Sequence, residues 1–417
     1  MSNCAILILA AGQGTRMRSA LPKVLHPLAG RPLLGHVLRT ARHLQPARLA
    51  VVIGHQAERI QAAFPDPDIT WVRQEEQLGT AHAVRCALPA LADLTGELLI
   101  LSGDTPLVES TLLEALLREH RRRGVGVTLL STRQENPTGY GRVIRDEDGE
   151  LLRVVEEKDA SAEERAICEI NSGIYCVDLG RLAGWLAEIA DHNAQREYYL
   201  PDLIAIAKRD GEVGILHHPE AAALAGVNDR RQLAALEVVL RDRLVAHWQS
   251  QGVTFTDPSS CWLAADVIIG QDSVIAPQVI LGEGTLIGPD CHIGPFCEIR
   301  QSHLGAGCQV KGFCHLEGAV LEGGSEVGPY ARLRPGTQLA TGAKVGNFCE
   351  IKKSHIGAGS KVNHLSYIGD TQMGKGVNVG AGTITCNYDG VHKHQTIIED
   401  GVFIGSDSQL VAPVRIG

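Results

Sequence analysis

The chain contains 417 residues, which is long enough for two or more domains with substantial hydrophobic cores. Its formal net charge of -9 and its aromatic content of 4% argue against a nucleic-acid-binding protein, which needs basic patches and stacking platforms. No apolar stretch approaches the length of a membrane-spanning helix, and the apolar run near the N-terminus has no basic region before it. We therefore expect a cytoplasmic protein without nucleic-acid or membrane partners.

The first motif follows an apolar run over residues 5–11, which predicts a buried first strand. This run leads into Leu9-Ala10-Ala11-Gly12-Gln13-Gly14-Thr15-Arg16-Met17, and Pro22-Lys23 follows shortly afterwards. Glycines let the backbone approach a ligand, and consecutive free N–H groups form a cradle for an anion. Arg16 can hold a phosphate with two donors, whereas Lys23 supplies a point charge. The motif predicts a phosphate-bearing ligand at the carboxyl end of the first strand, although its spacing matches neither a Walker A loop nor a dinucleotide fingerprint.

Residues 1 to about 228 alternate strand-like and helix-like segments. Buried strands are predicted over residues 49–54 and 97–101, and helices over residues 81–91 and 111–123. This alternation is typical of an α/β domain with a parallel, doubly wound sheet. Ligands of such sheets bind at the carboxyl ends of the strands.

Two further segments carry polar groups at such strand ends. Asp104 follows the strand over residues 97–101, where its carboxylate can hold Mg²⁺ beside phosphates, although a turn aspartate is also common. Gln74 offers an amide for a base edge, and Gly79 with Thr80 begins a helix, although these residues also fit an ordinary N-cap. Later segments, each explicable alone as a surface turn or solvated charge, contain Gly139-Tyr140-Gly141-Arg142, Glu156, Asn171 and Asn228.

A helical pattern begins at Asp229, which is a plausible N-cap. Leucines at positions 233, 236, 240 and 244 form an apolar stripe with helical spacing. The pattern predicts either a helical arm between two domains or a last helix packed on the first domain.

A strict six-residue period appears from about residue 263. Aliphatic residues recur, with single-residue slips, at Ile269, Ile275, Leu281, Ile287, Ile293, Ile299, Leu304, Val310, Leu316, Val327, Leu333, Leu339, Val345, Ile351, Ile356, Val362 and Ile368. Hexapeptide repetition predicts a parallel β-helix in which each flat face contributes one inward aliphatic side chain. Residues 386–395 break the period and predict a loop projecting from the coil, where function usually resides.

The cysteines fit reduced thiols. There are 11, and none forms a Cys-x-x-Cys pair, so neither a disulfide framework nor a zinc site is expected. Five of them each precede an aliphatic repeat position by two residues, which predicts a packing role: Cys291, Cys297, Cys308, Cys314 and Cys349.

The first motif resembles the signature of sugar-phosphate nucleotidyltransferases. The motifs around Gly141, Glu156, Asn171 and Asn228 resemble the subgroup that acts on N-acetylglucosamine 1-phosphate. With the repeats and the segments that contain Lys352, His364 and Asn387, the whole chain resembles a bifunctional bacterial family. In that family, an N-acetylglucosamine-1-phosphate uridylyltransferase is joined to a glucosamine-1-phosphate acetyltransferase.

The resemblance implies the architecture and the reactions. It implies a Rossmann-like nucleotidyltransferase domain over residues 1–228, a helical linker arm over residues 229–250 and a left-handed parallel β-helix acetyltransferase domain over residues 251–417. Acetyl-CoA would acetylate glucosamine 1-phosphate, and the product would react with UTP in the presence of Mg²⁺ to give UDP-N-acetylglucosamine and pyrophosphate. The β-helix would form a homotrimer.

The resemblance also implies the residues of the uridylyltransferase site. The nucleotide would bind Leu9, Ala10, Ala11, Gly12, Arg16, Lys23, Gln74, Gly79 and Thr80. Arg16 and Lys23 would also be catalytic. The sugar phosphate would bind Gly141, Glu156, Asn171 and Asn228, and the metal would bind Asp104 and Asn228.

In the acetyltransferase site, His364 would be the general base, a role suited to histidine because its ordinary pKa lies near neutrality. Glu350 would orient it. The sugar phosphate would bind Arg334, Lys352, Tyr367 and Asn378, and acetyl-CoA would bind Ala381, Asn387, Tyr388 and Ser406.

Two features depart from the family pattern. Ser102 stands where a tyrosine is usual beside the metal aspartate. The sequence ends at Gly417 within a repeat, whereas the family has further coils and a basic tail, so we expect a truncated acetyltransferase domain in which acetyl transfer is weak or absent. The alternatives are a monofunctional sugar-phosphate nucleotidyltransferase with a structural β-helix and a non-enzymatic regulatory scaffold.

Overall fold

A computed structural model describes residues 4–417 of the chain. The chain divides into two compact units, Met1–Glu237 and Val238–Gly417. The division falls within one long helix, Arg230–Ser250, so part of that helix belongs to each unit. The domain boundaries given above remain predictions.

The first unit is an α/β fold that begins with a buried strand, as predicted. Its strands are β1 Cys4–Leu9, β2 Pro27–Leu28, β3 Arg31–Pro32, β4 Arg48–Ile53, β5 Ile69–Arg73, β6 Glu97–Ser102, β7 Val127–Arg133, β8 Arg142–Arg145, β9 Leu151–Val155, β10 Glu169–Asp178 and β11 Val213–His218. Its helices are α1 Leu33–His43, α2 Ala57–Ala63, α3 Thr80–Leu91, α4 Ser110–Arg123, α5 Ala162–Arg165, α6 Leu179–Glu188 and α7 Asp202–Arg209, and α8 is Arg230–Ser250. Short 3-10 turns cover Thr15–Met17, Lys23–Leu25 and Ala221–Leu224.

The main sheet has the strand order β11-β7-β10-β6-β1-β4-β5. Strand β1 lies between β6 and β4 and is parallel to both, and β4 is parallel to β5. Successive residues of β1 pack on opposite faces, with Ala5 and Leu7 beside α3 and α6, and Ile6 and Ile8 beside α1 and α4. The sheet is therefore doubly wound, with a hydrophobic core on each side.

One strand departs from the predicted parallel arrangement. Strand β10 is antiparallel to both β6 and β7. Between β7 and β10 the chain forms the antiparallel pair β8 and β9 instead of a long crossover helix. Because no crossover returns the chain to the amino ends of the strands, β10 begins at the carboxyl end of β7 and runs backwards.

Helix α8 begins as the sequence predicted. The Asp229 carboxylate oxygen Oδ1 accepts hydrogen bonds from the backbone N–H groups of Arg231 and Gln232, each at 2.9 Å. These bonds satisfy donors that would otherwise lack partners at the helix start. Leu236, from the predicted apolar stripe, is buried.

The second unit is a β-helix of three parallel nine-stranded sheets. The first sheet contains Thr254–Phe255, Val274–Ile275, His292–Ile293, Gln309–Val310, Glu326–Val327, Lys344–Asn347, Lys361–His364, Asn378–Val379 and Phe403–Ile404. The second contains Trp262–Leu263, Ile280–Leu281, Glu298–Arg300, His315–Glu317, Arg332–Leu333, Glu350–Lys352, Tyr367–Gly369, Ile384–Cys386 and Gln409–Val411. The third contains Ile268–Ile269, Leu286–Ile287, His303–Leu304, Val320–Leu321, Gln338–Leu339, His355–Ile356, Thr371–Met373, Thr396–Ile398 and Val414–Ile416.

The repeat positions build the core of the β-helix. Every aliphatic residue of the predicted six-residue period is buried in one continuous hydrophobic cluster, and the five repeat cysteines lie in the same cluster. The prediction of inward aliphatic side chains is therefore confirmed. The left-handed coil remains a prediction. Residues 387–395 form a loop between the strands Ile384–Cys386 and Thr396–Ile398, which confirms the loop predicted over residues 386–395 except that Cys386 ends the preceding strand.

Candidate functional site

The first cleft lies at the carboxyl ends of β1 and β6. It has a volume of about 490 Å³. Its lining includes all the residues predicted to bind the nucleotide, together with Gln13, Gly14, Thr15, Val24, Gln77, Ala83, Ser102, Asp104, Glu197 and Asn228. The backbone ties the two strand ends together, because Gly103 N–H donates to Leu9 C=O at 2.9 Å.

Two glycines are required by the local backbone of this cleft. Gly14 has φ +63°, and a Cβ there would lie 2.7 Å from the Lys23 Cβ. Gly79 has φ +108°, and a Cβ there would lie 2.5 Å from the Tyr198 carbonyl oxygen. A side chain at either position would therefore be strained and would displace neighbouring atoms.

A charged cluster forms the wall of the cleft. The Lys23 ammonium forms an ion pair with Asp104 Oδ2 and lies 3.4 Å from Asn228 Oδ1. Arg16 Nη2 donates to the same Asn228 oxygen at 2.9 Å. The Val227 N–H donates to the Asp104 carbonyl at 2.9 Å, which fixes the loop that carries Asn228. Three distant segments thus deliver two cations and two oxygen ligands to one point.

The two predicted metal ligands fit a magnesium ion by their donor chemistry. Oxygen atoms of Asp104 and Asn228 converge on one cation, the Lys23 ammonium. Among residues 4–417 there is no group of three or more His, Cys, Asp or Glu side chains suited to a metal. Mg²⁺ suits such a sparse site, because it commonly uses one or two protein oxygens together with water and substrate phosphates.

Gln74 and Thr80 also line this cleft. Gln74 is buried, and its amide Nε2 donates to the Gly79 carbonyl at 3.1 Å. Thr80 Oγ1 accepts a hydrogen bond from Leu200 N–H at 2.9 Å. These bonds hold the turn at Gly79 in place. Contact of Gln74 with a base remains a prediction.

A second compartment of about 180 Å³ adjoins the cleft. The two share Leu9, Thr80, Ser102, Asp104 and Asn228. Its lining contains all four residues predicted to bind the sugar phosphate: Gly141, Glu156, Asn171 and Asn228. Asn171 N–H donates to the Gly141 carbonyl at 2.9 Å, so these two residues are fixed relative to each other.

Glu156 has an unusual electrostatic environment. Burial raises the pKa of its carboxyl to about 7, and the nearby carboxylates of Asp202, Asp159 and Glu197 act in the same direction. Arg142 opposes them weakly. A carboxyl group with this pKa is partly protonated near neutrality, so it can donate a hydrogen bond as well as accept one.

In the β-helix, one group of predicted site residues converges around Gly369. A Cβ at Gly369 would lie 2.5 Å from Tyr367 Oη and 2.9 Å from Asn387 Nδ2. Asn387 Nδ2 also donates to the Asp370 carboxylate. The lack of a side chain at Gly369 therefore leaves room for the Tyr367 and Asn387 side chains to lie close together.

Basic residues lie beside this group. The Lys393 ammonium, which comes from the projecting loop, lowers the pKa of Lys352, and burial and Arg334 act in the same direction. Arg334 Nη1 donates to Glu350 Oε1 at 2.8 Å. Positive charges that lie close together repel one another, and a bound anion would reduce this repulsion.

His364 has a different partner from the predicted one. Its Nδ1 lies 2.7 Å from Asn347 Oδ1, on the adjacent strand of the first sheet. Glu350 accepts a hydrogen bond from Arg334, and among residues 4–417 none joins it to His364, so the role of Glu350 in orienting His364 stays a prediction. An amide oxygen accepts only, and this geometry therefore assigns the proton to Nδ1 and the lone pair to Nε2.

The remaining predicted residues of the acetyltransferase site, one for the sugar phosphate and three for acetyl-CoA, are distributed along the last coils. Asn378 pairs in register with Lys361, and the Ala381 carbonyl accepts from Asp407 N–H at 2.8 Å, next to Ser406. Tyr388 Oη donates to Gly390 C=O at 2.5 Å within the loop. Among residues 4–417, no hydrogen bond joins His364 to Lys352, Tyr367 or Asn387.

Sequence reasoning missed Asn347 and Lys393. Asn347 lies seventeen residues before His364, one coil away. Residues one coil apart lie side by side, so the length of one coil could have identified Asn347 as a neighbour of His364. The sequence could not place Lys393 in the same way, because the position of this residue depends on the path of the loop.

Comparisons with known proteins follow the same division. A model of the MobA-like NTP transferase domain matches residues 6–170, and a model of the bacterial transferase hexapeptide (six repeats) matches residues 266–301. In the described chain, no helix is both long and apolar enough to cross a membrane.

Similar proteins cover nearly the whole chain. Bifunctional protein GlmU from Alkalilimnicola ehrlichii is 52% identical over 99% of this chain and 89% of the relative. The proteins of the same name from Acinetobacter baylyi and Shouchella clausii are 49% and 45% identical, over 99% and 100% of this chain and 90% and 92% of the relatives. The chain therefore belongs to the family of bifunctional GlmU proteins.

Proposed function

We propose that this protein catalyses two steps of UDP-N-acetylglucosamine synthesis. It transfers an acetyl group from acetyl-CoA to glucosamine 1-phosphate, and it then transfers a uridylyl group from UTP to N-acetylglucosamine 1-phosphate, releasing pyrophosphate. The convergence of Arg16, Lys23, Asp104 and Asn228 at the carboxyl ends of β1 and β6 carries the proposal for the second reaction. Membership of the bifunctional family, with the polar cluster around Gly369, supports the first.

In uridylyl transfer, a phosphate oxygen of the sugar phosphate attacks the α-phosphorus of UTP, and the bond to the pyrophosphate oxygen breaks. Such a reaction depends on positioning and on neutralising charge rather than on a protein nucleophile. The turn after Ala10 presents backbone N–H groups, while Arg16 and Lys23 supply positive charge for the triphosphate and the leaving pyrophosphate. Asp104 and Asn228 would hold Mg²⁺, which when bound polarises the α-phosphate.

The two compartments explain how both substrates meet. The larger cleft takes UTP, with Gln74, Gly79 and Thr80 on the side of the base. The smaller compartment takes N-acetylglucosamine 1-phosphate against Gly141, Glu156 and Asn171. Because Asp104 and Asn228 line both compartments, the phosphates of both substrates come together at these residues.

In acetyl transfer, the amine nitrogen of glucosamine 1-phosphate attacks the thioester carbonyl carbon of acetyl-CoA. His364 Nε2 accepts the amine proton, the carbon–sulfur bond breaks, and the thiol of CoA leaves after taking a proton. Asn347 holds His364 in the required tautomer. Arg334 and Lys352 bind the sugar phosphate together with Tyr367 and Asn378, and acetyl-CoA lies along Ala381, Asn387, Tyr388 and Ser406.

We further infer a homotrimer formed through the β-helix, in the cytoplasm. A column of stacked rings is exposed along one corner of the coil, at Phe296, Phe313, Tyr330 and Phe348, with centroid separations of 4.8, 4.9 and 5.2 Å. An exposed apolar column of this kind is suited to contact with another copy. All 11 cysteines are free thiols, which suits a reducing compartment.

The proposal is tested by two assays on the same preparation. Pyrophosphate release is measured with UTP, Mg²⁺ and either N-acetylglucosamine 1-phosphate or glucose 1-phosphate, and thiol release is measured with acetyl-CoA and glucosamine 1-phosphate. We expect pyrophosphate release only with the acetylated sugar, together with thiol release. Release with glucose 1-phosphate and no thiol signal would favour a monofunctional enzyme, whereas no release in either assay would favour a scaffold.

Asp104→Asn should abolish most of the uridylyl transfer. The substitution removes the only charged ligand proposed for Mg²⁺, and we expect kcat/KM to fall at least about 100-fold, as expected for a metal worth several kcal/mol. Thiol release should be unchanged, which shows that the second unit is intact. Asp93→Asn, on an exposed ion pair with Arg48, is the matched control. A normal rate for Asp104→Asn in Mg²⁺ would remove Asp104 from the metal site.

Glu156→Gln should alter stability in a pH-dependent way. Because the pKa of Glu156 is about 7 in the folded protein, above the usual 4.5 of a glutamate carboxyl, its ionisation destabilises the fold as the pH rises from 4.5 through 7. The variant should therefore be more stable than the wild type at pH 8.5, by at most roughly 3 kcal/mol, with a smaller difference at pH 5.5. Calorimetric unfolding measures this, with the exposed Glu147→Gln as control. A pH-independent difference would contradict the raised pKa.

Asn347→Ala should slow acetyl transfer by about tenfold to a hundredfold in kcat, because His364 loses the group that fixes its tautomer. Asn347→Asp should retain most of the activity, with the acidic limb of its pH profile moved to higher pH, because a carboxylate favours the charged imidazolium. Gln309→Ala, at an exposed strand position, is the control. The ¹⁵N shifts of His364 report the tautomer independently of activity. If the Ala variant kept both the tautomer and kcat, Asn347 would have no positioning role.

A further inference from the structure

Asn228 lies on a short segment, residues 226–228, in which all three consecutive backbone N–H groups have partners within the protein. In chain order, these groups donate to Tyr140 Oη at 3.3 Å, to the Asp104 carbonyl oxygen at 2.9 Å and to Gln232 Oε1 at 2.7 Å. Backbone N–H groups need such partners, and each bond restrains one peptide group. The position of the Asn228 side chain therefore depends on the acceptors that hold this segment.

Tyr140 is the acceptor that connects this segment to the sugar-phosphate site. It precedes Gly141, which is proposed to bind the sugar phosphate, and both residues line the smaller compartment together with Asn228. Of the other two acceptors, Asp104 contributes a backbone carbonyl, and Gln232 belongs to the first turn of α8. Among the three acceptors, Tyr140 is thus the one whose side chain joins the segment of Asn228 to a different part of the chain.

A buried ion pair holds the backbone around Tyr140. Arg142 is only 2% exposed, and its Nη2 lies 3.2 Å from Glu157 Oε2. Arg142 Nη1 donates to the Tyr140 carbonyl oxygen, and Glu157 Oε2 also accepts from Gly139 N–H. Tyr140 N–H donates to the Pro137 carbonyl at 3.1 Å. Satisfied polar networks of this kind are rigid, so the segment that carries Tyr140 is held in place before any substrate binds.

The Tyr140 hydroxyl is a neutral group beside the charged cluster of the first cleft. Burial raises the pKa of this phenol, the Gly226 hydrogen bond lowers it, and the charges of Asp104 and Arg16 act in opposite directions. Because a phenol ordinarily ionises only near pH 10, Tyr140 stays protonated near neutral pH. It can therefore hold the segment without adding a charge where phosphates and Mg²⁺ are proposed to bind.

We propose that Tyr140 is a positioning residue of the uridylyltransferase site, whose hydroxyl group holds the segment that places Asn228 for Mg²⁺. This inference rests on the proposed function. The hydroxyl group acts through Asn228 and needs no contact with substrate. Groups that orient a metal ligand commonly contribute about tenfold to a hundredfold to metal affinity or activity. Tyr140 would thereby tie the metal ligand to the rigid wall of the sugar-phosphate compartment.

The first test measures UTP binding by calorimetry, with Mg²⁺ and with a chelator, in the absence of any sugar phosphate. For Tyr140→Phe, which keeps the ring and loses only the hydroxyl, we expect the gain in UTP affinity from Mg²⁺ to fall at least about threefold, as for one lost hydrogen bond that holds a metal ligand. UTP affinity with the chelator should not change. A hydroxyl that contacted only the sugar would leave the Mg²⁺ effect intact, and that result would overturn the proposal.

Two further variants serve as comparisons in the same assay. Gln232→Ala removes a neighbouring bond of the same segment and should also reduce the Mg²⁺ effect. Tyr330→Phe removes a hydroxyl from an exposed ring of the second unit and should leave it unchanged. If Gln232→Ala reduced the Mg²⁺ effect but Tyr140→Phe did not, the segment would matter without Tyr140, and the proposal would be wrong.

The second test is a double-mutant cycle that shows whether Tyr140 acts through Asn228. Tyr140→Phe should lower the kcat of pyrophosphate release about threefold to thirtyfold in the wild type but should cause no further loss in an Asn228→Ala background. Equal losses in the two backgrounds, or a loss accompanied by a marked fall in Tm, would contradict a positioning role. If the wild type itself showed neither a Mg²⁺ effect on UTP binding nor pyrophosphate release, the proposed function would fail instead.

Discussion

The first site depends on one interaction, the ion pair between Lys23 and Asp104. These residues follow β1 and β6, two parallel neighbours whose carboxyl ends meet at one edge of the sheet. Asn228 arrives from a third segment and is held by the same ammonium and by Arg16. Without these opposite charges, two cations from one loop would repel each other, and a carboxylate would face incoming phosphates unscreened. The cluster therefore joins the three segments, and we propose that it also neutralises charge during uridylyl transfer.

The two units bring polar side chains together in different ways. In the first, strands that are buried on both faces end together, and loops at that edge carry the polar side chains. In the second, each coil repeats the position of the coil before it, so polar residues one coil apart lie side by side, as His364 and Asn347 do. A rigid stack with an inward aliphatic residue at every repeat supports this arrangement, and the loop over residues 387–395 adds Lys393 to it.

The sequence was most informative where the structure is periodic or local. Apolar runs predicted β4 and β6, the six-residue period predicted the buried residues of the β-helix, and Asp229 was correctly expected to cap α8. The compartments also bring together the residues that the family resemblance implied for the first site. Features that depend on the path of the chain were not predictable: β10 is antiparallel because a β-hairpin precedes it, and Glu350 bonds to Arg334 rather than to His364.

The most direct test of this account is the affinity of the wild-type protein for UTP with Mg²⁺ and with a chelator, measured by calorimetry at constant ionic strength. If Asp104 and Asn228 hold the metal beside the triphosphate, chelation removes the positive charge of the metal from between these oxygen atoms and the phosphates. We then expect UTP to bind at least about tenfold more tightly with Mg²⁺, which corresponds to about 1.4 kcal/mol. Equal affinity in both conditions, or tighter binding with the chelator, would contradict the assignment of this cluster as the site of metal-assisted uridylyl transfer.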